Sequence, residues 1–136
     1  MAAAMVLMID DDEDFTTSIR ALLEAEGYRV ETAASGREGL RKLGEVRPDV
    51  VLLDVMMESS TEGYAVSGAI RTAEVPVPVI MLSSVELGPA ERFARSEELE
   101  LIRPDAYLTK PVVAGRFLET LRSVLAARGV GSAARS

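Results

Sequence analysis

The chain of 136 residues contains no cysteine, no histidine and no tryptophan. Lacking cysteine, it has no disulfide, no thiolate nucleophile and no Cys/His zinc site. Lacking histidine, it has no imidazole base and cannot be its own phosphohistidine donor. Carboxylates, hydroxyls and lysine are what remain for chemistry. Positive charge is also in deficit: 15 Lys and Arg face 22 Asp and Glu, for a formal net charge of −7. Sequence-independent nucleic-acid binding needs a basic face that releases counterions from phosphates, so no direct nucleic-acid contact is expected. No stretch approaches the ~20 consecutive apolar residues of a membrane span. Met1–Ile9 is apolar but short, and it runs into acids without a basic leader. A soluble protein of a reducing compartment, the cytoplasm, with no membrane insertion is the expectation.

What is present suits a single globular domain. The composition is 48% hydrophobic and 27% charged, near the average for folded chains, and the length leaves room for one core. The domain is expected over residues 1–128, with the small polar stretch 129–136 as a disordered tail.

Three short apolar runs rich in branched residues, Met5–Ile9, Asp49–Asp54 and Val77–Leu82, have the pattern of strands buried on both faces. Tyr28–Thr32 alternates and Ala106–Leu108 is brief, so these two strands belong toward the sheet edges. Between the strands, apolar residues recur at helical spacing. Phe15, Ile19, Leu22 and Leu23 mark a first helix and Leu40 and Leu43 a second; Val66, Ala69, Ile70 and Ala73 mark a third. Glu86–Arg103 is a charged, irregular fourth, and Phe117, Leu121, Val124 and Leu125 define a fifth. Gly27 stands where the first helix should stop, and Ser35-Gly-Arg-Glu38 has capping-box form. Strict alternation of strand and helix predicts an α/β fold, a doubly wound five-stranded parallel sheet with helices on both faces.

Ligands of such sheets bind beyond the carboxyl ends of the strands. Asp10 and Asp11 follow the first strand, Asp54 ends the third, Ser83 follows the fourth and Lys110 follows the fifth. Carboxylates gathered there would repel one another unless a cation joined them. All-oxygen ligation suits Mg²⁺, and the ion together with a hydroxyl and a fixed ammonium would neutralise a phosphoryl group. Asp54 is then best placed as nucleophile, because a carboxylate can form an acyl phosphate.

This constellation resembles the receiver (CheY-like) domain of bacterial two-component response regulators. The matching segments are Val-Leu-Met-Ile-Asp10-Asp11-Asp-Glu-Asp, Pro48-Asp-Val-Val-Leu-Leu-Asp54-Val-Met-Met57, Pro78-Val-Ile-Met-Leu-Ser83 and Asp105-Ala-Tyr107-Leu-Thr-Lys110-Pro111, within a resemblance over roughly residues 5–128. It implies a flavodoxin-like sheet of order 2-1-3-4-5, and Mg²⁺ at Asp10, Asp11, Asp54 and the carbonyl of Met56. It further implies Asp54 as phosphoacceptor, Ser83 and Lys110 on the phosphoryl group, Ser83 and Tyr107 as switch residues, and a cis peptide at Lys110-Pro111. A histidine kinase or histidine phosphotransfer protein would supply phosphate, and an output domain or partner would read the result, with phosphorylation-dependent homodimerisation as one outcome. Such a domain promotes only its own phosphorylation and dephosphorylation and is not otherwise an enzyme.

Two departures stand out. Glu58 lies where the family has proline, and Gly63 lies one place late, so the loop after the third strand is expected to be remodelled; the Ser83–Lys110 interval is also lengthened. Met56 and Val85 hold the positions that tune water access to the acyl phosphate, and their apolar side chains predict a long-lived phosphorylated form.

The competing readings are a phosphorylation-independent pseudo-receiver and a Mg²⁺-dependent aspartyl-phosphate phosphohydrolase. The second lacks the acid that would follow two places after Asp54, where Met56 stands. Residue by residue, Asp12 reads as a helix N-cap, Ser83 and Ser84 as caps of the next helix, Tyr107 as a half-buried edge aromatic and Lys110 as a surface lysine. Asp10, Asp54 and Lys110 occurring together favours a metal site over a merely solvated acidic run, while Asp12 keeps the N-cap reading.

Overall fold

The computed structural model describes residues 3–54, 77–83 and 105–127. The strands are β1 (Met5–Ile9), β2 (Arg29–Ala33), β3 (Val50–Asp54), β4 (Val79–Ser83) and β5 (Ala106–Thr109). The helices are α1 (Glu13–Ala25), α2 (Gly36–Val46) and α3 (Ala114–Ala127), the last being the fifth helix expected from the sequence. The expected third and fourth helices lie outside the described residues, as do Met56, Glu58, Gly63, Val85 and the tail.

All four strand pairings are parallel, and the order is β2-β1-β3-β4-β5. The apolar runs are thus the three central strands, and the alternating and brief strands are the edges. Side chains alternate across the sheet and so feed two cores. Val6, Met8, Val50, Leu52, Ile80 and Leu82 pack on one face with α1 and α3, whose Ile19, Leu23, Phe117 and Leu121 are buried there. Leu7, Ile9, Val51, Leu53, Val79 and Met81 face the other way, where Leu40 and Leu43 of α2 pack. Leu40 and Leu43 are partly buried, and Gly39 brings α2 close to β1. A Cβ on Gly39 would lie 2.5 Å from Ile9 Cδ1, so the helix backbone rests on the sheet at that point.

Local signals explain where the elements begin and end. Asp12 caps α1 by accepting the Phe15 N–H at 3.1 Å, and Ser35 caps α2 by accepting the Glu38 N–H at 3.2 Å. Glu38 reaches back to the Ala34 N–H, one residue ahead of the cap. Gly27, at φ 92°, closes α1: its N–H bonds the Glu24 carbonyl and the Tyr28 N–H bonds the Leu23 carbonyl, the paired bonds of a Schellman turn. The Lys110-Pro111 bond is cis.

Two further devices concern the sheet's margins. Asp49 donates its N–H to the Met5 carbonyl at 2.8 Å and accepts the Met5 N–H on Oδ2 at 2.7 Å. Asp105 treats Val79 in the same way, at 2.8 and 2.9 Å. Each aspartate fastens the start of its own strand to the start of the neighbour. At the outer edge of β2, residues 29 and 33 turn their backbone groups toward β1, which leaves those of Val30 and Thr32 facing outward. Lys42 of α2 donates to the Thr32 carbonyl and pairs with Glu31 at 3.4 Å and Glu38 at 3.6 Å.

Candidate functional site

Because the strands are parallel, their carboxyl ends share one edge, and the register decides which end residues meet. Ile9 is opposite Leu53, so Asp10 and Asp54 follow on adjacent strands as neighbours. Asp54 is opposite Leu82, and Ser83 is opposite Thr109, which brings Lys110 to the same edge from β5. The backbone places Ser83 at the end of β4; its side chain lies outside what the structure describes.

Asp10 and Asp54 are each only 3% exposed. A buried carboxylate is costly unless it is paired, and the pairing here is with one cation. Lys110 Nζ lies 2.6 Å from Asp10 Oδ2 and 3.6 Å from Asp54 Oδ2. The other Asp10 oxygen, Oδ1, accepts the Asp12 N–H at 2.9 Å. Lys110 is therefore no surface lysine; its side chain is 8% exposed, and its ammonium sits 4.1 Å from the centroid of the Phe15 ring.

Asp11 is exposed and completes a triad. One oxygen from each of Asp10, Asp11 and Asp54 lies within 4.8 Å of the others. These donors are all hard carboxylate oxygens, the set that a divalent cation such as Mg²⁺ prefers. Among the described residues, one ammonium, that of Lys110, meets this cluster of three carboxylates, and a divalent cation would add positive charge to it. The residues present fit it.

The described residues thus bring together Asp10, Asp11, Asp54 and Lys110. Met56 lies outside them. Tyr107 sits on β5, opposite Met81 and 40% exposed, in keeping with a half-buried edge aromatic. Phe15 entered the sequence reading only as a position on the apolar face of a helix, and Asp49 and Asp105 entered it only within strand and motif segments; nothing local to those residues signals a ring beside Lys110 or a bond to another strand.

Residues 6–122 match the sequence model of the response regulator receiver domain. The chain belongs to this family. Receiver domains are signalling modules that act as phosphoacceptors, and the order of the sheet is theirs. The transcriptional regulatory protein AfsQ1 of Streptomyces coelicolor is 36% identical over 126 residues, covering 88% of this chain and 50% of that protein. A response regulator receiver protein from Burkholderia phymatum is 32% identical with a TM-score of 0.74, over 95% of this chain and 98% of that one. The CheY-like receiver domain protein from Methanospirillum hungatei superposes with a TM-score of 0.81 at 26% identity, over 94% of this chain and 98% of that one. The chain spans about half the length of the curated relatives it matches. No helix among the described residues is long and apolar enough to cross a membrane.

Proposed function

We propose that this receiver, spanning residues 1–128, accepts a phosphoryl group on Asp54 in a Mg²⁺-dependent reaction. The observation that carries the reading is the ammonium of Lys110 shared between Asp10 and Asp54, both buried, at the carboxyl edge of the sheet. An Asp54 carboxylate oxygen attacks phosphorus, and the bond from phosphorus to the donor breaks, its electron pair leaving with the donor group. Lys110 stands within reach of the new phosphoryl oxygens and supplies a fixed positive charge there. Asp10 holds that lysine while its Oδ1 is engaged by the Asp12 N–H. Asp10, Asp11, Asp54 and the Met56 carbonyl would hold Mg²⁺, whose chemistry is to neutralise the incoming phosphoryl oxygens.

Ser83 and Tyr107 are the switch residues of this reading. A histidine kinase or histidine phosphotransfer protein is the phosphate source, since the chain has no histidine, and an output domain or separate partner reads the switched state. The cytoplasm is the compartment in which such a donor meets it. Incubation with acetyl phosphate and Mg²⁺ should give an acid-stable, alkali-labile label carried by the wild-type chain and abolished by Asp54→Asn. Undiminished label on Asp54→Asn, located by mass spectrometry, overturns the assignment.

A further inference from the structure

Phe15 has no part in the phosphoacceptor reading, yet its ring touches the one cation of the described site. The Lys110 ammonium, 4.1 Å from the ring centroid, is well inside the ~6 Å over which the negative face of an aromatic ring attracts a cation. An ammonium has three N–H donors. Asp10 takes one at 2.6 Å and Asp54 lies at 3.6 Å, while the Lys110 side chain is only 8% exposed. The ring occupies space that water would otherwise fill. It attracts the ammonium without adding negative charge to an edge that already carries three carboxylates.

The ring is itself fixed, through a closed circuit of contacts. Asp10 Oδ1 accepts the Asp12 N–H, and the Asp12 carboxylate accepts the Phe15 N–H as the N-cap of α1. The Phe15 ring meets Lys110 Nζ, which returns to Asp10 Oδ2. Phe15 also packs against the core beneath α1, as does Val112 just beyond Lys110-Pro111. The first turn of α1 and the loop after β5 are thus tied together at the ammonium.

We propose that Phe15 is a positioning residue for Lys110, its ring confining the ammonium over Asp10 and Asp54 so that it meets an arriving phosphoryl oxygen with little rearrangement. The proposal rests on Asp54 being the phosphoacceptor. A lysine stem is long and flexible, and the ring adds to the two carboxylates a third contact that restrains its ammonium. Leucine fills similar apolar volume but lacks the ring's charge distribution, whereas tyrosine keeps it.

The test uses the full chain as wild type, Phe15→Leu, Phe15→Tyr and Asp54→Asn. In unphosphorylated wild type and Phe15→Tyr, the Lys110 ε-methylene protons should be displaced upfield in the NMR spectrum by the ring current, and in Phe15→Leu that displacement should vanish. Labelling by acetyl phosphate with Mg²⁺ should slow by about three- to tenfold in Phe15→Leu and stay within about twofold of wild type in Phe15→Tyr. Unshifted Lys110 protons in the wild type, loss of the shift in Phe15→Tyr, or labelling of Phe15→Leu at the wild-type rate each overturns the proposal. If Phe15→Leu fails to fold, the wild-type and Phe15→Tyr spectra decide. Label persisting on Asp54→Asn removes the phosphoacceptor reading instead, and the ring-current shift still reports whether the ring holds Lys110.

Discussion

Aspartates sit at both ends of this sheet, and they behave differently. At the end where strands begin, Asp49 and Asp105 each bind the backbone of a neighbouring strand through two hydrogen bonds. At the end where strands finish, Asp10 and Asp54 face a lysine and the exposed Asp11. The polarity of a parallel strand accounts for the contrast. Its first backbone group is an N–H, which a carboxylate can accept; its last is a C=O, which offers a carboxylate nothing. Acids at the amino edge meet the N–H groups of a neighbouring strand, whereas Asp10 and Asp54 at the carboxyl edge share an ammonium, with Asp10 also accepting the Asp12 N–H. The same residue type is a fastener at one margin and the partner of a buried ammonium at the other.

Removing the cation should break this contrast most severely. Lys110→Met is expected to lower the labelling rate by about a hundredfold, the usual cost of losing a fixed charge that stabilises phosphoryl transfer. It should at the same time tighten Mg²⁺ binding, because lysine and ion compete for the same carboxylates. Calorimetric titration is suitable, since the chain has no tryptophan; weaker Mg²⁺ binding in Lys110→Met would contradict the competition. At the other margin, Asp49→Ala and Asp105→Ala should each cost roughly 1–3 kcal/mol in urea denaturation by orphaning a strand-starting N–H. Labelling at Asp54 should be unchanged in both variants. A selective loss of labelling without loss of stability would erase the distinction between the two edges. Asp12→Ala, which removes only a helix cap, is expected to cost about 1 kcal/mol in the same measurement.

What the sequence made legible follows the range over which each signal acts. Apolar runs such as Val51-Leu52-Leu53 carry their own burial pattern, and Ser35 with Glu38, or Gly27 after α1, encode a cap within a few residues. The meeting of Asp10, Asp54 and Lys110 was readable because they stand at the ends of strands that a parallel fold must align. Asp49 was not singled out because its partner Met5 is 44 residues away, and a carboxylate before a strand has no local mark of what it will bind. Phe15 has an apolar helical position in common with Ile19, and only the assembled fold places Lys110 beside it. Leu40 and Leu43 do pack against the core, as their spacing indicates, but Gly36 and Gly39 of the same helix are the more deeply buried positions. Hydrophobic periodicity identifies large side chains that seek burial and is blind to a backbone that approaches because a side chain is missing.

Lys42 bears on behaviour that no residue at the carboxyl edge controls. A sheet with an open margin is a template, and a second chain can extend it by matching bare backbone groups. In β2 the outward Thr32 carbonyl is occupied by an ammonium from the chain's own helix, with Glu31 and Glu38 holding that ammonium in place. The strand therefore presents a charged side chain at one of the acceptors that an approaching strand would need. Self-association in concentrated solution, a colloidal property, is therefore expected to rise when Lys42 is replaced by methionine, a change at the opposite edge strand from Lys110.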